Sequence, residues 1–292
     1  MLTENALDLL RKRYFRKDLN ETTWCQLADR VATAVADAET DEQLKKYWSE
    51  KFYNMIYNLE FLPSTPCLMN AYKESPGQLS SCFILDVKDN IESIYAVKGE
   101  CAKIFQKNGG AGLNMSALRP SGSQVETSKG YSCGVVGFME EYDLTADIVT
   151  RNNTRKGAMK VDLNDWHPDI YEFIHAKDDI TKFKCMNISV SLSDKFMQAV
   201  LGNQTWDLKF PDYSWNKEIY DNEWCGDLDL WEAKGYPVRV YKTVLARNLY
   251  LEIMESAWKT GEPGVSFRDA MDRDNPNPHL GKIKGTNPCA EF

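Results

Sequence analysis

Short apolar runs alternate with helical patterns through most of this chain, and that alternation limits the folds open to it. Residues 82–87 and 186–192 have the length and residue types of strands. Helical periodicity occupies 91–105, capped by Asn90 and ended by Gly109-Gly110, and recurs at 135–150 and 169–176. Two more helices are expected, at 194–201 with Asp194 as cap, and at 245–260, ended by Gly261-Glu262-Pro263-Gly264. Strand–helix alternation of this kind predicts a parallel α/β architecture. Residues 6–59 read differently, with apolar positions at three- and four-residue spacing through Leu27, Val31, Val35, Tyr47, Phe52, Ile56 and Leu59 and no proline or glycine. The expected division is therefore a helical region at 1–60 followed by the α/β part at 61–292. Between Trp206 and Pro237 an irregular excursion rich in Trp, Tyr and Asp is expected to be ordered, because its aromatics need burial.

The 292 residues are 43% hydrophobic and 12% aromatic, enough for a sizeable core. There is no run of about 18 apolar residues, so no membrane span is expected, and the opening residues lack the pattern of a secretion signal. The eight cysteines are scattered without Cys-x-x-Cys or Cys/His pairing, which argues against a structural zinc site. A net charge of −8 argues against a general nucleic-acid surface and leaves any polyphosphate to be held by backbone N–H groups and a few arginines.

The most unusual string is Thr286-Asn287-Pro288-Cys289-Ala290-Glu291-Phe292. Pro288 fixes its own φ and pushes Asn287 out of the helical region, so the stretch is expected to be extended. Alternate residues of an extended chain share a face, which would gather the Asn287 amide, the Cys289 thiol and the Glu291 carboxylate. Such a trio suits radical or nucleophilic chemistry on a hydroxyl-bearing target. The string alone is equally compatible with a tail that carries a structural thiol. Gly109-Gly110-Ala111-Gly112 is weak as a phosphate loop; it permits close backbone approach by a substrate or a neighbouring loop.

Together with Phe61-Leu62-Pro63-Ser64-Thr65-Pro66 and Leu79-Ser80-Ser81-Cys82-Phe83, this ending resembles the large catalytic subunit of ribonucleotide reductase. The likeness covers about 6–292 and is greatest with the adenosylcobalamin-dependent (class II) branch, through 130–143, His167-Pro168-Asp169-Ile170 and Tyr236-Pro237-Val238. The resemblance implies the family's ten-stranded α/β barrel, of which this chain would supply the first half-barrel and the ascending finger loop behind a small helical region. No separate regulatory nucleotide domain is expected ahead of it, and half of the barrel would lie outside the sequence.

By that resemblance Cys289 becomes the thiyl radical that removes the ribose 3′-hydrogen, and Glu291 takes the 3′-hydroxyl proton. Base help of this kind is worth about 10²–10⁴-fold. Asn287 would orient the hydroxyls, and Cys82 would be one member of the redox pair, its partner lying outside the sequence. The family most often has glycine where Ala290 stands, a departure that matters only if φ there is positive. Thr65, Ser81 and Gly110 match substrate-binding positions, while Cys67, Cys101, Cys133, Cys185 and Cys225 match no catalytic one. Asp89 matches the acid that contacts an effector's sugar, and Arg119 the arginine that holds its phosphates, with 120–130 as the loop over it. Residues 150–159, with Asn152, Asn153, Arg155 and Lys156, would relay effector identity to the substrate base; alone they read equally as a solvated turn.

The implied cofactor is adenosylcobalamin, the alternative being a radical from a separate dimetal small subunit. The implied companions are a deoxynucleoside triphosphate effector, a thioredoxin- or glutaredoxin-type reductant, the C-terminal half of the catalytic subunit or a homologous chain, and a second copy across the effector site. The expected setting is the cytoplasm, or a host's cytoplasm for a viral protein. A non-catalytic nucleotide-binding half is the reading from another class.

Overall fold

The computed structural model describes residues 2–72, 77–125, 129–151 and 157–291. It separates into two compact units, Met1–Ser81 and Cys82–Phe292. Among the described residues no helix is long and apolar enough to cross a membrane, and no group of three or more His, Cys, Asp and Glu is arranged to hold a metal ion.

The first unit is helical: α1 (Glu4–Leu9) runs into a π-turn at Leu10–Tyr14, followed by α2 (Trp24–Ala36), α3 (Glu42–Tyr57) and α4 (Thr65–Asn70). Thr23 and Gln26 form a capping box at the start of α2, and Asp41 accepts from the Gln43 and Leu44 amides to start α3. Leu27, Val31, Ile56 and Leu68 meet in its core. The unit extends past residue 60 because Arg30, buried on α2, reaches α4. Its guanidinium donates to Glu21 at 2.5 Å and to the carbonyls of Leu68 and Ala71 at 2.9 and 2.6 Å. A buried arginine needs every such acceptor, so α4 belongs with the helices and the units divide at 81/82 rather than at 60/61.

The second unit is built on one parallel sheet, ordered β1-β2-β5-β6-β9. Its elements are β1 (Cys82–Asp86), α5 (Ile91–Gln106), β2 (Gly110–Asn114), a short ribbon of β3 (Gln124–Val125) and β4 (Gly130–Tyr131), α6 (Gly134–Thr150), β5 (Ala158–Asn164), α7 (Ile170–Ile174) and β6 (Met186–Leu192). Then come α8 (Asp194–Leu201), β7 (Thr205–Pro211), α9 (Lys217–Glu223), α10 (Leu228–Ala233), β8 (Val238–Leu245), α11 (Ala246–Thr260), β9 (Gly264–Phe267) and α12 (Arg268–Arg273). The parallel architecture is as the alternation predicts. Ser193, not Asp194, caps α8, its hydroxyl accepting from the Phe196 amide at 3.1 Å.

The two faces of this sheet differ. One carries Ala111, Leu113, Met159, Val161, Leu163, Ile188, Val190 and Leu192, and packs with residues of α5, α6, α7, α8 and α11 into the main core. By the parallel register the other face carries Cys82, Gly110, Gly112, Lys160, Asp162, Asn164, Asn187, Ser189 and Ser191. Parallel sheets ordinarily bury apolar residues on both faces. Here the second face, apart from Ile84 on β1 and Ala158 on β5, is polar or stripped to glycine, and that is the face that positions the site.

The excursion after β6 is bounded by β7 and β8, an antiparallel pair. Phe210, Tyr220, Trp224 and Trp231 pack there with Trp166, so the aromatics are buried as their composition requires.

Candidate active site

Residues 285–288 lie against the polar face of the sheet. Gly110 and Gly112 make room for them: a Cβ on Gly110 would meet the Pro288 ring at 2.8 Å, and one on Gly112 the Thr286 carbonyl oxygen at 1.9 Å. The glycine-rich run is therefore strand β2 receiving a neighbouring segment, and Gly110 contacts that segment. Thr286 touches Gly112 and Asp162, and Pro288 lies against Gly110 and Asn187, whose amide donates to the Pro288 carbonyl at 3.3 Å. The segment thus runs toward the amino ends of the strands, where Cys82 opens β1 and pairs with Gly110.

At that end the chain turns. The Ala290 amide donates to the Asn287 carbonyl at 3.0 Å, and Ala290 has a φ of 62°. This corrects the extended reading of 286–292: Asn287-Pro288 starts a turn, with proline at the position whose φ it presets. Asn287 is buried, while Cys289 and Glu291 are exposed beyond it, so alternation does not put the three on one face. Ala290 occupies the left-handed region that favours glycine, the condition under which its departure from the family pattern carries a cost.

Thr286 is held by two charged residues of β5. Lys160 donates to the Thr286 hydroxyl oxygen, and Asp162 Oδ2 accepts from the Thr286 amide at 2.9 Å and from its hydroxyl at 3.0 Å. Lys160 and Asp162 themselves pair at 3.2 Å, both buried. Burial pushes the Asp162 carboxyl above its ordinary value, and Lys160 beside it pulls the other way. Neither residue was singled out by the motifs, though Met159, Val161 and Leu163 alternating with Lys160, Asp162 and Asn164 is a strand signal with a polar face.

A second location lies on the same unit. Asp89 and Arg119 meet, the Arg119 amide and Nε donating to the two carboxylate oxygens at 3.0 and 2.7 Å. Tyr220 from α9 donates its hydroxyl to the same carboxylate at 2.6 Å, and the guanidinium lies 5.0 Å from the Tyr213 ring centre. They line a cavity of about 740 Å³ with Lys88, Lys217 and Tyr131. The aromatic partners come from the excursion, which the motifs left without a role. Nearby, Asp169 accepts from the Ser121 and Val135 amides at 3.0 Å each, tying down both ends of the loop that leads into α6. Burial lowers the pKa of His167, with Asp169 pulling the other way; the ring takes the Asp169 amide on Nδ1 at 3.0 Å and faces the Leu118 carbonyl through Nε2 at 2.8 Å.

Thr65 lies in the other unit, where its hydroxyl shares a 3.1 Å hydrogen bond with Tyr14. Ser81 is the last residue of that unit. Asn152, Asn153, Arg155 and Lys156 lie outside the described residues.

Residues 80–292 match the ribonucleotide reductase barrel domain and residues 1–76 its all-alpha domain. The chain is 34% identical over 98% of its length to the vitamin B12-dependent ribonucleoside-diphosphate reductase of Mycobacterium tuberculosis (strain ATCC 25618 / H37Rv), spanning 38% of that protein. It is 36% identical over 84% of its length to the enzyme of the same name from Thermoplasma acidophilum, spanning 29% of it. It is also 33% identical over 90% of its length to the ribonucleoside-diphosphate reductase large subunit of Ostreid herpesvirus 1, spanning 32% of it. The chain thus covers well under half of each relative, and over both of its units it belongs to the ribonucleotide reductase large-subunit family.

Proposed function

We propose that these residues supply the first half of a ribonucleotide reductase catalytic barrel, with Cys289 as the radical-bearing thiol. The observation that carries this reading is the path of 285–288 across the glycine face of β2 toward the end of the sheet where Cys82 begins β1. Two cysteines far apart in sequence are thereby brought to one end of one sheet. Cys289, as a thiyl radical, takes the 3′-hydrogen of a ribonucleoside diphosphate, and Glu291 accepts the 3′-hydroxyl proton. The 2′-hydroxyl leaves as water with a proton from the thiol pair. Cys82 and a second cysteine from the rest of the barrel supply two electrons and the second proton to the 2′-carbon and become a disulfide. Glu291 and Cys289 then return the proton and the hydrogen atom to the 3′ position, which regenerates the thiyl radical. A thioredoxin- or glutaredoxin-type protein then restores the thiols.

The radical source is read as adenosylcobalamin, in keeping with the vitamin B12 dependence in the names of two of the relatives above. When bound, that cofactor supplies the oxidising equivalent that converts the thiol to the thiyl; the protein's part is to hold the thiol and exclude water. The Asp89–Arg119 cavity is read as the effector site: a guanidinium for phosphates, aromatic walls, and a carboxylate for the sugar. Asn152 and Arg155 are read as the relay from effector to substrate base. A second copy across this site, and a cytoplasmic setting, complete the proposal.

The test is reduction of a ribonucleoside diphosphate by the complete reductase containing this sequence, with adenosylcobalamin or with a metal-loaded small subunit as the only radical source. Product with cobalamin alone supports the reading. Product only with the second protein replaces the radical source and leaves Cys289 in place. No product with either overturns the assignment.

A further inference from the structure

We infer that Lys160 and Asp162 are positioning residues that lock the register of the Cys289 segment through the amide and hydroxyl of Thr286. The inference rests on the reading of Cys289 given above. Lys160 is 3% exposed and Asp162 fully buried, in the middle of a strand. A buried ion pair is a poor way to hold two neighbouring side chains, since apolar residues of similar size do so at least as well. What the pair does that apolar residues cannot is engage Thr286. The Thr286 hydroxyl accepts from Lys160 and donates to Asp162, and the Thr286 amide donates to the same carboxylate. Donor and acceptor are used together, so the contact is specific for a hydroxyl side chain at 286.

The rest of the face serves the same end. Gly112, level with Lys160 on the next strand, leaves no Cβ in the path of the Thr286 carbonyl. Asn187, level with Lys160 on the other side, holds the Pro288 carbonyl at 3.3 Å. Three adjacent strands therefore grip a three-residue span just ahead of Cys289. A slip of one residue would carry Cys289 along by about 3.3 Å. A displacement of about 1 Å at a reacting group already costs about 10²-fold in rate. The network fixes the thiol to within that tolerance, where a segment held only by Pro288 packing would slide.

The test compares Thr286→Val, Thr286→Ser and Lys160→Met with the parent in the complete reductase, using a ribonucleoside diphosphate and dithiothreitol. Thr286→Val is expected to lower kcat by about 10- to 100-fold with KM and effector affinity unchanged, and Lys160→Met to do the same. Thr286→Ser, which keeps the hydroxyl, is expected to restore kcat to within about threefold of the parent. Hydrogen exchange should show amides 286–288 exchanging faster in Thr286→Val, with β2 and β5 unchanged. If Lys160→Met does not fold, the Val/Ser pair at 286 decides alone. Parental kcat in Thr286→Val, or a parallel loss of effector affinity, overturns the inference so long as Cys289→Ser is inactive. Activity in Cys289→Ser would instead remove the reading on which it rests, and the inference with it.

Discussion

A Cβ on Gly112 would stand 1.9 Å from the Thr286 carbonyl oxygen and 2.8 Å from its carbonyl carbon, so Gly112 of strand β2 and Thr286 meet backbone to backbone. Gly112→Ala must displace one of them. The strand is paired on both sides, to β1 and to β5, and the segment is not, so the segment is expected to move. Overpacking of this kind costs about 1–3 kcal/mol. Thermal unfolding should show a lowered midpoint with the sheet intact, and hydrogen exchange should localise the loosening to 285–288.

The guanidinium of Arg119 has the Asp89 carboxylate on one side and the Tyr213 ring on the other, which holds it in the cavity. Arg119→Ala is expected to weaken a deoxynucleoside triphosphate by about 1.5–3 kcal/mol, the scale of a hydrogen bond to a charged group. Titration calorimetry measures this directly, and unchanged affinity would remove Arg119 from the effector site.

Burial pushes the Asp165 carboxyl up to about 6, with Arg268 pulling the other way, and its Oδ1 has no hydrogen-bond partner among the described residues. The folded chain thus holds this proton more tightly than the unfolded chain, whose value is 3.8. The associated stability is present below about pH 4 and is lost as pH rises through about 6. Asp165→Asn removes the titration. The parent should therefore lose about 3 kcal/mol relative to the variant between about pH 4 and pH 7, measured by denaturant unfolding across that range.

Ala290 carries its φ of 62° at a cost of about 1 kcal/mol relative to glycine in that conformation. Ala290→Gly is expected to keep full activity in the complete reductase. Ala290→Val places a branched side chain where it is a genuine outlier, and should lower activity by about tenfold or more as the turn opens. Equal activity in both variants would show that the turn is not needed.

The helices and strands β1 and β6 were legible because their signals are local: Asn90 caps α5, and Met186–Leu192 alternates apolar residues with Asn187, Ser189 and Ser191. Strand β2 was hidden because Gly110 and Gly112 offer no side chain to declare a strand; what they declare is the approach of Thr286 and Pro288, over 170 residues later. Strand β5 was hidden because Lys160, Asp162 and Asn164 look solvent-facing, yet all three are buried, Lys160 and Asp162 against the distant Thr286. Cys82 and Cys289 are proposed as site cysteines from their sequence neighbours. The shape of the turn at Pro288 was misjudged, because Asn-Pro was read for its extended preference rather than as a turn start.

The most direct test of the account is to separate the two cysteines in the complete reductase, following both product formation and exchange of the substrate's 3′-hydrogen. Cys289→Ser should abolish both, because an O–H bond is too strong to be broken by the same radical source. Cys82→Ser should retain the 3′-hydrogen step and lose normal turnover. Turnover in Cys289→Ser, or unimpaired multiple turnover in Cys82→Ser, would contradict it.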